Sequence, residues 1–358
     1  RQMETVEFRA EGQDGQSMGS LRRNTRGVGR ILLFFAFLVT IAYGIQLGVS
    51  AGLRKITTSK FGAINAWTSG NVNSEIIING SSRALVHYDP RIIAGETGLT
   101  AYNLGMNGIQ IDVQAGILDA YLARNKAPAV ILQNLESFSL EATKPGEIYD
   151  PGAYLPYLSN NALYQTLHEI DPQVWKWRHI PLYGYAVPDM RFTWALGVVR
   201  WFGMQGPQDY FDGFNPRYEQ WGQDFENFRK SLPNGVSYRI EAKGLASLER
   251  CLRLAQKKGA IMILIFAPEY VEMQRLERNR GEIFRHFREL AETYGAEFWD
   301  YSDSPLCSNR DFFYNSQHLN ARGAELFSED VARRLRWFLE ARKVATAANV
   351  SQGSDGSE

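Results

Sequence analysis

Short apolar runs alternate with longer amphipathic stretches along most of the chain, between residues 60 and 344. Five runs have the length and the apolar content of buried strands: 74–80, 99–108, 127–136, 260–270 and 296–302. Helical spacing of apolar residues is found at 109–125, 241–258, 271–294 and 320–342. Strands that alternate with helices are typical of a parallel sheet covered on both faces. The pattern therefore predicts an α/β fold with a mostly parallel sheet in three layers.

One apolar stretch near the start of the chain is too long for a strand. Residues 31–53 ("ILLFFAFLVTIAYGIQLGVSAGL") carry no charge. At about 1.5 Å per residue they are long enough to cross a hydrocarbon layer of about 30 Å. We expect a single transmembrane helix here, preceded by a disordered tail at 1–29. The alternatives are a buried core helix and a signal sequence cleaved after Ala51.

Basic residues are unequally divided between the two ends of this span. Four arginines precede it and three basic residues follow it: Arg22, Arg23, Arg26 and Arg30 against Arg54, Lys55 and Lys60. This bias favours an N-terminus in the cytoplasm of a bacterial-type inner membrane. Residues 60–344 would then form an extracytoplasmic domain, and the small polar residues 345–358 a disordered tail.

Residues 138–237 interrupt the alternating pattern. They are rich in tryptophan, tyrosine, proline and glycine and show no strand–helix alternation. In α/β folds, ligands bind outside the carboxyl ends of the strands, where insertions cover them. We interpret the segment as an insertion that forms a helical cap or lid. The alternative is that its aromatic residues form the ordinary core of a subdomain.

Net charge, cysteines and histidines each bear on which classes of function the chain can have. The chain has 39 Lys and Arg residues against 39 Asp and Glu, so no overall charge favours nucleic acid as a partner. Cys251 and Cys307 could pair outside the cytoplasm, and separate buried thiols are the alternative. No metal-ligand spacing relates four of the histidines, which are His87, His168, His179 and His286. We therefore expect neither a metal nor a cofactor.

Polar residues near the ends of the predicted strands have chemistry that suits acyl transfer. Ser82 follows a Gly-Ser pair after the first strand, where a helix N-terminus favours a nucleophilic hydroxyl; the alternative is a helix cap. Gly105 and Asn107, in "NLGMNG" after the second strand, offer amides to an oxyanion or form a plain turn. His318 lies on the loop into the last helix, as a general base or as a packed histidine.

In this order, the blocks "NGSSR", "NLGMNG" and "HLNARG" resemble those of the SGNH (GDSL-like) hydrolase superfamily. The chain is similar in particular to a membrane-anchored branch, the alginate O-acetyltransferase-like proteins and the D-alanine-transfer protein of teichoic-acid operons. This similarity covers about 74–136 and 238–342 and leaves the insertion unexplained. It implies that Ser82 is the nucleophile, His318 the general base and Gly105 an oxyanion donor. Asn134, in the degenerate block "QNLES", is a further implied donor.

The resemblance has one main departure. Where the family carries an aspartate three residues before the histidine, this chain has Asn315. An amide oxygen accepts a hydrogen bond from imidazole but adds no charge to stabilise the imidazolium ion. Three outcomes stay open: a Ser–His dyad, a third member supplied by another carboxylate such as Asp303 or Asp311, and a chain that has lost catalysis and kept binding.

The resemblance also implies a function. Members of this branch transfer or remove an acyl group, here taken to be acetyl, on a cell-surface polysaccharide. They work beside a multi-pass membrane acyltransferase, which is the implied partner in addition to the bilayer around 31–53. The alternative from a different class is a non-catalytic binding or scaffold subunit of a polysaccharide assembly, whose aromatic insertion stacks on sugar rings.

Overall fold

Five parallel strands form the central sheet of the computed structural model, which describes residues 14–187, 191–222 and 224–354. They are β1 (Ile76–Asn79), β2 (Ala101–Asn103), β3 (Val130–Leu135), β4 (Ile261–Phe266) and β5 (Glu297–Asp300). Each lies within one of the predicted runs, and every pairing is parallel, so the predicted α/β fold is confirmed. A separate antiparallel hairpin joins β6 (Phe313–Asn315) to β7 (His318–Leu319).

Helices cover both faces of the sheet and occupy the long insertion. In chain order they are α1 (Asp14–Arg54), α2 (Ser59–Thr68), α3 (Ser82–His87), α4 (Pro90–Thr97), α5 (Ile111–Leu122), α6 (Asn161–Ile170), α7 (Val174–His179), α8 (Tyr183–Ala186), α9 (Arg191–Val199), α10 (Asp224–Ser231), α11 (Ala242–Lys258), α12 (Val271–Leu276), α13 (Arg280–Tyr294) and α14 (Ala321–Ser354). Short 3-10 turns connect several of them.

Two apolar cores lie on opposite faces of the sheet. Successive side chains of a strand point to opposite faces, so Ile77 packs in one core with α5, α11 and α13. Ile76 and Ile78 pack in the other core with α3, α4 and α14. Burial on both sides explains why β1 is a continuous isoleucine run and does not alternate with polar residues.

The strand order β2-β1-β3-β4-β5 determines where a ligand site belongs. The chain passes from β1 to β2 on one side and then crosses to β3 on the other, so the order reverses between β1 and β3. Open α/β sheets bind ligands outside the carboxyl ends of the strands at such a reversal. Ser82 is the third residue after the end of β1 and therefore lies at this position.

Two features differ from the expected helices. The predicted helix at 271–294 is divided into α12 and α13, because residues 277–279 pair with the end of the insertion through Val236 and Tyr238. α1 begins at Asp14 and α14 ends at Ser354, so helices extend into the segments 1–29 and 345–358, where disorder is expected. No glycine or proline occurs between Gly323 and Gly353 to stop α14. Residues 1–13 and 355–358 lie outside the described residues.

α1 has two environments. Its segment Gly27–Arg54 is long and apolar enough to cross a membrane. Most side chains from Val28 to Leu47 are exposed, whereas Val49 and Leu53 are buried in the same core as Ile77. The folded domain therefore includes the last turns of α1 and does not begin only at residue 60.

The insertion at 138–237 contains α6 to α10 and none of the five sheet strands. Its aromatic residues fall into two groups. Tyr154, Tyr157 and Trp177 are buried in the core that also holds Val49. In contrast, Phe192 and Phe202 are 71% and 78% exposed. The insertion is thus partly core and partly an exposed aromatic surface.

The two cysteines do not pair. Cys251 lies on α11 and Cys307 lies after β5, and both are free and buried. The structure therefore agrees with two separate buried thiols and not with a disulfide.

Candidate active site

Ser82 is held at the carboxyl edge of the sheet by a sharp turn. β1 ends at Asn79, and Ser82 is already the first residue of α3. A β-carbon on Gly80 would lie 2.7 Å from the β-carbon of Ala84 and 2.9 Å from that of Asn134, so only glycine fits between strand and helix. This close approach places the Ser82 hydroxyl at the N-terminus of a helix, where developing negative charge is favoured.

The β6–β7 hairpin carries His318 to the same edge. His318 Nε2 lies 2.8 Å from Ser82 Oγ, and His318 Nδ1 lies 2.9 Å from Asn315 Oδ1. Asn315 and His318 are opposite each other in the hairpin, so a local turn sets their distance. The structure thus brings together the three residues that the sequence predicts as Ser82, His318 and Asn315.

The contacts of Asn315 determine the tautomer of His318. The backbone N–H groups of Gln317 and His318 both donate to Asn315 Oδ1 at 3.0 Å. Because these are obligate donors, the atom that receives them is the amide oxygen and not the nitrogen. The same oxygen faces Nδ1, so Nδ1 carries the proton and Nε2 is an acceptor. This is the tautomer that takes a proton from a serine hydroxyl.

The surroundings of His318 keep the imidazole neutral. Burial, followed by the positive charges of Arg83 and Arg217, lowers the pKa of His318 to about 3. Among the described residues no carboxylate lies against Nδ1, because Asn315 occupies that position. Asp303 and Asp311, the other acids considered for this role, are both exposed. His318 is therefore available as a base at neutral pH but gains no charge stabilisation once it is protonated.

A second histidine supports the first. His87 is fully buried, and its Nε2 accepts the backbone N–H of Leu319 at 3.0 Å. Its ring lies edge-on to the His318 ring, with a centroid distance of 6.1 Å. Burial, with the charges of His318 and Arg83, holds the pKa of His87 well below its ordinary value. His87 therefore holds the backbone of Leu319, the residue after His318, in place. It stays neutral and is not a second general base.

The three predicted oxyanion donors are engaged elsewhere. The Gly105 N–H donates to Asn103 Oδ1 at 2.8 Å, and Asn134 Nδ2 donates to Glu136 Oε1 at 2.9 Å. Asn107 is exposed, and its amide nitrogen donates to the Tyr149 hydroxyl at 3.1 Å. These contacts do not support the prediction that Gly105, Asn107 and Asn134 hold an oxyanion. The first backbone N–H groups of α3, beginning with Ser82, have no partner within the helix and are better placed for it.

Gly105 nevertheless has a steric role at the site. A β-carbon there would lie 2.4 Å from the backbone nitrogen of Leu85, in the helix that carries Ser82. The side-chain amide of Asn103 also binds this helix, because it donates hydrogen bonds to the carbonyl oxygens of Ala84 and Tyr88. The "NLGMNG" block therefore positions α3 and does not itself contact the Ser82 hydroxyl.

Ser81 belongs to a buried network and not to the reacting centre. Its hydroxyl donates to Glu136 Oε1 at 2.5 Å and does not cap α3. Asn134 and Ser139 donate to the same carboxyl group, whose pKa is raised by burial. The Tyr88 hydroxyl continues the network by donating to Asn134 Oδ1. The two neighbouring serines therefore differ in role. The Ser81 hydroxyl is part of a buried structural network, and the half-buried Ser82 hydroxyl faces His318 at the edge of the sheet.

A buried arginine lies next to Ser82. Arg83 is 1% exposed and pairs at 2.5 Å with Glu269, which is fully buried. Burial raises the pKa of Glu269 to about 7, against the opposing charge of Arg83. Arg280 completes the group at 3.5 Å from Glu269. This pair is not predicted from the sequence, whose only signals for it are a charged residue within α3 and a glutamate just after β4.

A segment in the second half of the insertion, 209–217, returns across the site. The Asn103 N–H donates to the carbonyl of Asp212, the Asn215 N–H to the carbonyl of Leu85, and the Ala321 N–H to the carbonyl of Arg217. This return segment therefore connects β2, α3 and the start of α14. It also delivers the Arg217 charge that acts on His318. Nothing in its local sequence pattern indicates this contact.

A pocket lies beside the site. The 103–107 loop, α2 and the insertion form its walls, which include Trp67, Tyr149 and Tyr210. Lys60 from α2 and Asp150 from the insertion form an ion pair at its rim. Ser82 and His318 are not part of this lining, so the pocket lies beside Ser82 and does not contain it.

The fold and the site together define an α/β protein with a Ser–His–Asn array at a strand end. No protein-family model matches the chain, and no curated protein matches it. Among solved structures, it is similar to a protein of the G-D-S-L family, described as lipolytic, from Desulfitobacterium hafniense DCB-2. Sequence identity is 11% and the TM-score is 0.34, over 72% of this chain and 97% of that chain. A likeness this distant identifies neither the activity nor the substrate of this chain.

Proposed function

We propose that this chain is a membrane-anchored serine acyltransferase or esterase that acts on a cell-surface polysaccharide. The observation that carries the proposal is the 2.8 Å contact between Ser82 Oγ and His318 Nε2 at the carboxyl edge of the sheet. A hydroxyl beside a neutral imidazole with its acceptor nitrogen facing the oxygen is the arrangement of an activated nucleophile. The fixed tautomer of His318 supports the same reading.

The reaction has two halves. In the first, His318 Nε2 takes the Ser82 proton while Oγ attacks the acyl carbonyl carbon. The bond to the leaving alcohol breaks, that alcohol receives the proton, and the acyl group stays on Ser82 as an ester. In the second, Nε2 takes a proton from an acceptor hydroxyl, which attacks the ester and restores Ser82. A sugar hydroxyl as acceptor gives transfer, and water gives hydrolysis.

Asn315 limits the rate of this reaction. Each half passes through an imidazolium ion, and Asn315 orients that ion without stabilising its charge. The neighbouring Arg83 and Arg217 charges oppose it further. We therefore infer slow turnover with a Ser–His dyad, in which the N–H groups at the start of α3 stabilise the oxyanion.

The substrate and the partner rest on the sequence resemblance. The similarity to the O-acetyltransferase-like branch supports an acetyl group and a polysaccharide acceptor. It also supports a multi-pass membrane acyltransferase as the source of acyl groups. The apolar segment Gly27–Arg54 supports attachment to the same membrane, and the arginines before it support an extracytoplasmic domain.

A second candidate function is a non-catalytic binding subunit of a polysaccharide-modifying complex. Asn315 favours it, because a chain that no longer needs an imidazolium ion no longer needs the carboxylate. In that case the Ser82–His318 contact would be a structural hydrogen bond at the floor of a binding site.

Turnover of p-nitrophenyl acetate by the full-length protein in detergent tests the proposal. Ser82→Ala and His318→Ala should each reduce the rate to background, whereas Ser231→Ala, at an exposed serine on α10, should not change it. Transfer is tested by adding an oligosaccharide acceptor and detecting its ester by mass spectrometry. Equal rates in wild type and Ser82→Ala would overturn the catalytic proposal and favour the binding subunit.

A further inference from the structure

The insertion is fastened to the end of the apolar helix α1. The Tyr43 hydroxyl donates to the carbonyl of His179, and the Leu182 N–H donates to the side-chain oxygen of Gln46. Ser50 and Tyr185 share a buried hydrogen bond of 2.9 Å. These partners come from α7, α8 and the turn between them, so the insertion surrounds one side of α1 as the helix leaves its exposed part.

α9 lies directly against α1. A β-carbon on Gly52 would lie 1.9 Å from the carbonyl oxygen of Gly197, and one on Gly197 would lie 2.5 Å from that of Val49. Such backbone contact needs glycine on both helices and is typical of helices that pack closely in membranes. The indole N–H of Trp201 then donates to the Gly48 carbonyl at 3.0 Å. The position of α9 along α1 is therefore fixed at residues 48–52.

The outer side of α9 and of the turn after it is apolar and exposed. Six side chains there are at least 44% exposed: Phe192, Trp194, Leu196, Trp201, Phe202 and Met204. We call this set the α9 patch. Several large aromatic side chains exposed on one short segment mark an interaction surface.

The position of the α9 patch along α1 indicates what covers it. α1 is exposed and uncharged from Ile31 to Leu47, a length of about 25 Å, which is close to the hydrocarbon thickness of about 30 Å. From Val49 onward it is buried by protein. The bilayer surface therefore falls near Gly48, the residue that Trp201 contacts. Lys55 lies over the Trp201 ring at 3.4 Å, which adds a positive charge at head-group level.

We propose that the α9 patch is a second membrane contact, which inserts into the interfacial layer of the bilayer that α1 crosses. Tryptophan and phenylalanine with basic neighbours are the residues that bind this layer. The exposed apolar part of α1 ends at Leu47, directly before the residues 48–52 on which α9 packs, so a lipid layer that covers this part of α1 also reaches the patch. Two attachments fix the orientation of the domain, and hence the direction in which Ser82 faces.

Quenching of tryptophan fluorescence by brominated lipids tests the proposal. α1 contains no tryptophan, so the anchor itself cannot be quenched. The full-length protein is reconstituted into phosphatidylcholine vesicles with bromine near the head-group end of the acyl chains. We expect quenching in wild type, and loss of most of it in the double variant Trp194→Phe, Trp201→Phe. Trp337→Phe, at a residue 63% exposed on α14, is the matched control and should keep it.

A second variant tests the same contact without changing either tryptophan. Phe202→Cys carries a nitroxide label, which should be more accessible to oxygen than to a water-soluble nickel chelate. Equal quenching in wild type and the double variant, or a label that the nickel chelate reaches freely, would overturn the lipid contact. That result would leave a protein partner as the occupant of the α9 patch. Both readouts are independent of catalysis by Ser82.

Discussion

Asn315 Oδ1 lies 2.9 Å from His318 Nδ1 and accepts two further backbone N–H groups of the same hairpin. The asparagine therefore performs the positioning task of an orienting carboxylate. It does not perform the electrostatic task, because it carries no charge. This division of roles predicts that the site is assembled for acyl transfer but operates below the rate that its geometry permits.

Asn315→Asp should increase the rate of acetyl ester turnover. An aspartate oxygen can accept the same three N–H groups and adds a negative charge beside the imidazolium ion. We expect a gain of about 10- to 100-fold in kcat, part of the roughly 10⁴-fold that a serine protease loses in the reverse change. Asn315→Ala, which removes the acceptor, should lower kcat. An unchanged kcat in Asn315→Asp would show that His318 does not become charged in the reaction.

The pH dependence of kcat/KM should report the unusual base. Because the pKa of His318 is lowered to about 3, it stays unprotonated and active well into the acid range. Activity should therefore be constant from neutral pH down to about pH 4 and fall only below it, as far as the fold survives. An acid limb near the ordinary histidine value of about 6.5 would contradict this assignment.

Arg217→Gln should move that acid limb to higher pH. Removal of a positive charge near the imidazole makes its protonated form less unfavourable, so the pKa of His318 rises. The measurement is the shift of the limb in kcat/KM relative to wild type. Lys230→Gln, at an exposed residue on α10, is the control and should cause no shift. A limb that is the same in Arg217→Gln and wild type would remove Arg217 from the site.

The strands could be predicted from local pattern, and the three central residues from local pattern together with the motif resemblance. β1 begins with three isoleucines and β4 is a continuous apolar run, and Gly80 followed by a serine doublet indicates a tight turn at a strand end. Topology then requires the end of β1 and the loop after β5 to share one edge of the sheet. The position of Ser82 near His318 follows from these two facts without knowledge of any side-chain contact.

The oxyanion donors could not be predicted in the same way. Whether an amide is free depends on which tertiary acceptor reaches it, and Gly105 and Asn134 meet acceptors on Asn103 and Glu136. The Arg83–Glu269 pair is separated by 186 positions, so no local period relates its members. The end of α1 also packs in the core through contacts with the insertion, which a hydropathy profile does not show.

Arg83→Met should strongly destabilise the protein. It would leave Glu269 fully buried with only the longer contact to Arg280. Removing one member of a buried ion pair costs about 3–5 kcal/mol, because the remaining charge loses its partner. Arg91→Met, at the half-exposed pair with Asp89, should cost less than about 1 kcal/mol. Urea unfolding of the full-length protein in detergent compares them, and equal losses would contradict the role given to Arg83.

Gly105→Ala should also destabilise the protein and lower its activity. The new β-carbon would lie 2.4 Å from the Leu85 nitrogen and force α3, with Ser82, away from the loop. Overpacking of this kind costs about 1–3 kcal/mol. Gly95→Ala in α4 is the matched control, since its β-carbon would meet no atom within 4 Å. It should stabilise the helix slightly, by up to about 1 kcal/mol. Similar effects of the two changes would contradict the steric argument.

The central claim is that Ser82 is an activated nucleophile, and covalent labelling tests it most directly. The full-length protein in detergent is treated with a fluorophosphonate, and the modified residue is mapped by peptide mass spectrometry. We predict a single adduct on Ser82 that is lost in Ser82→Ala, is strongly slowed in His318→Ala and persists in Ser81→Ala. Wild-type protein that remains unlabelled, or is labelled to the same extent as Ser82→Ala, would contradict the claim.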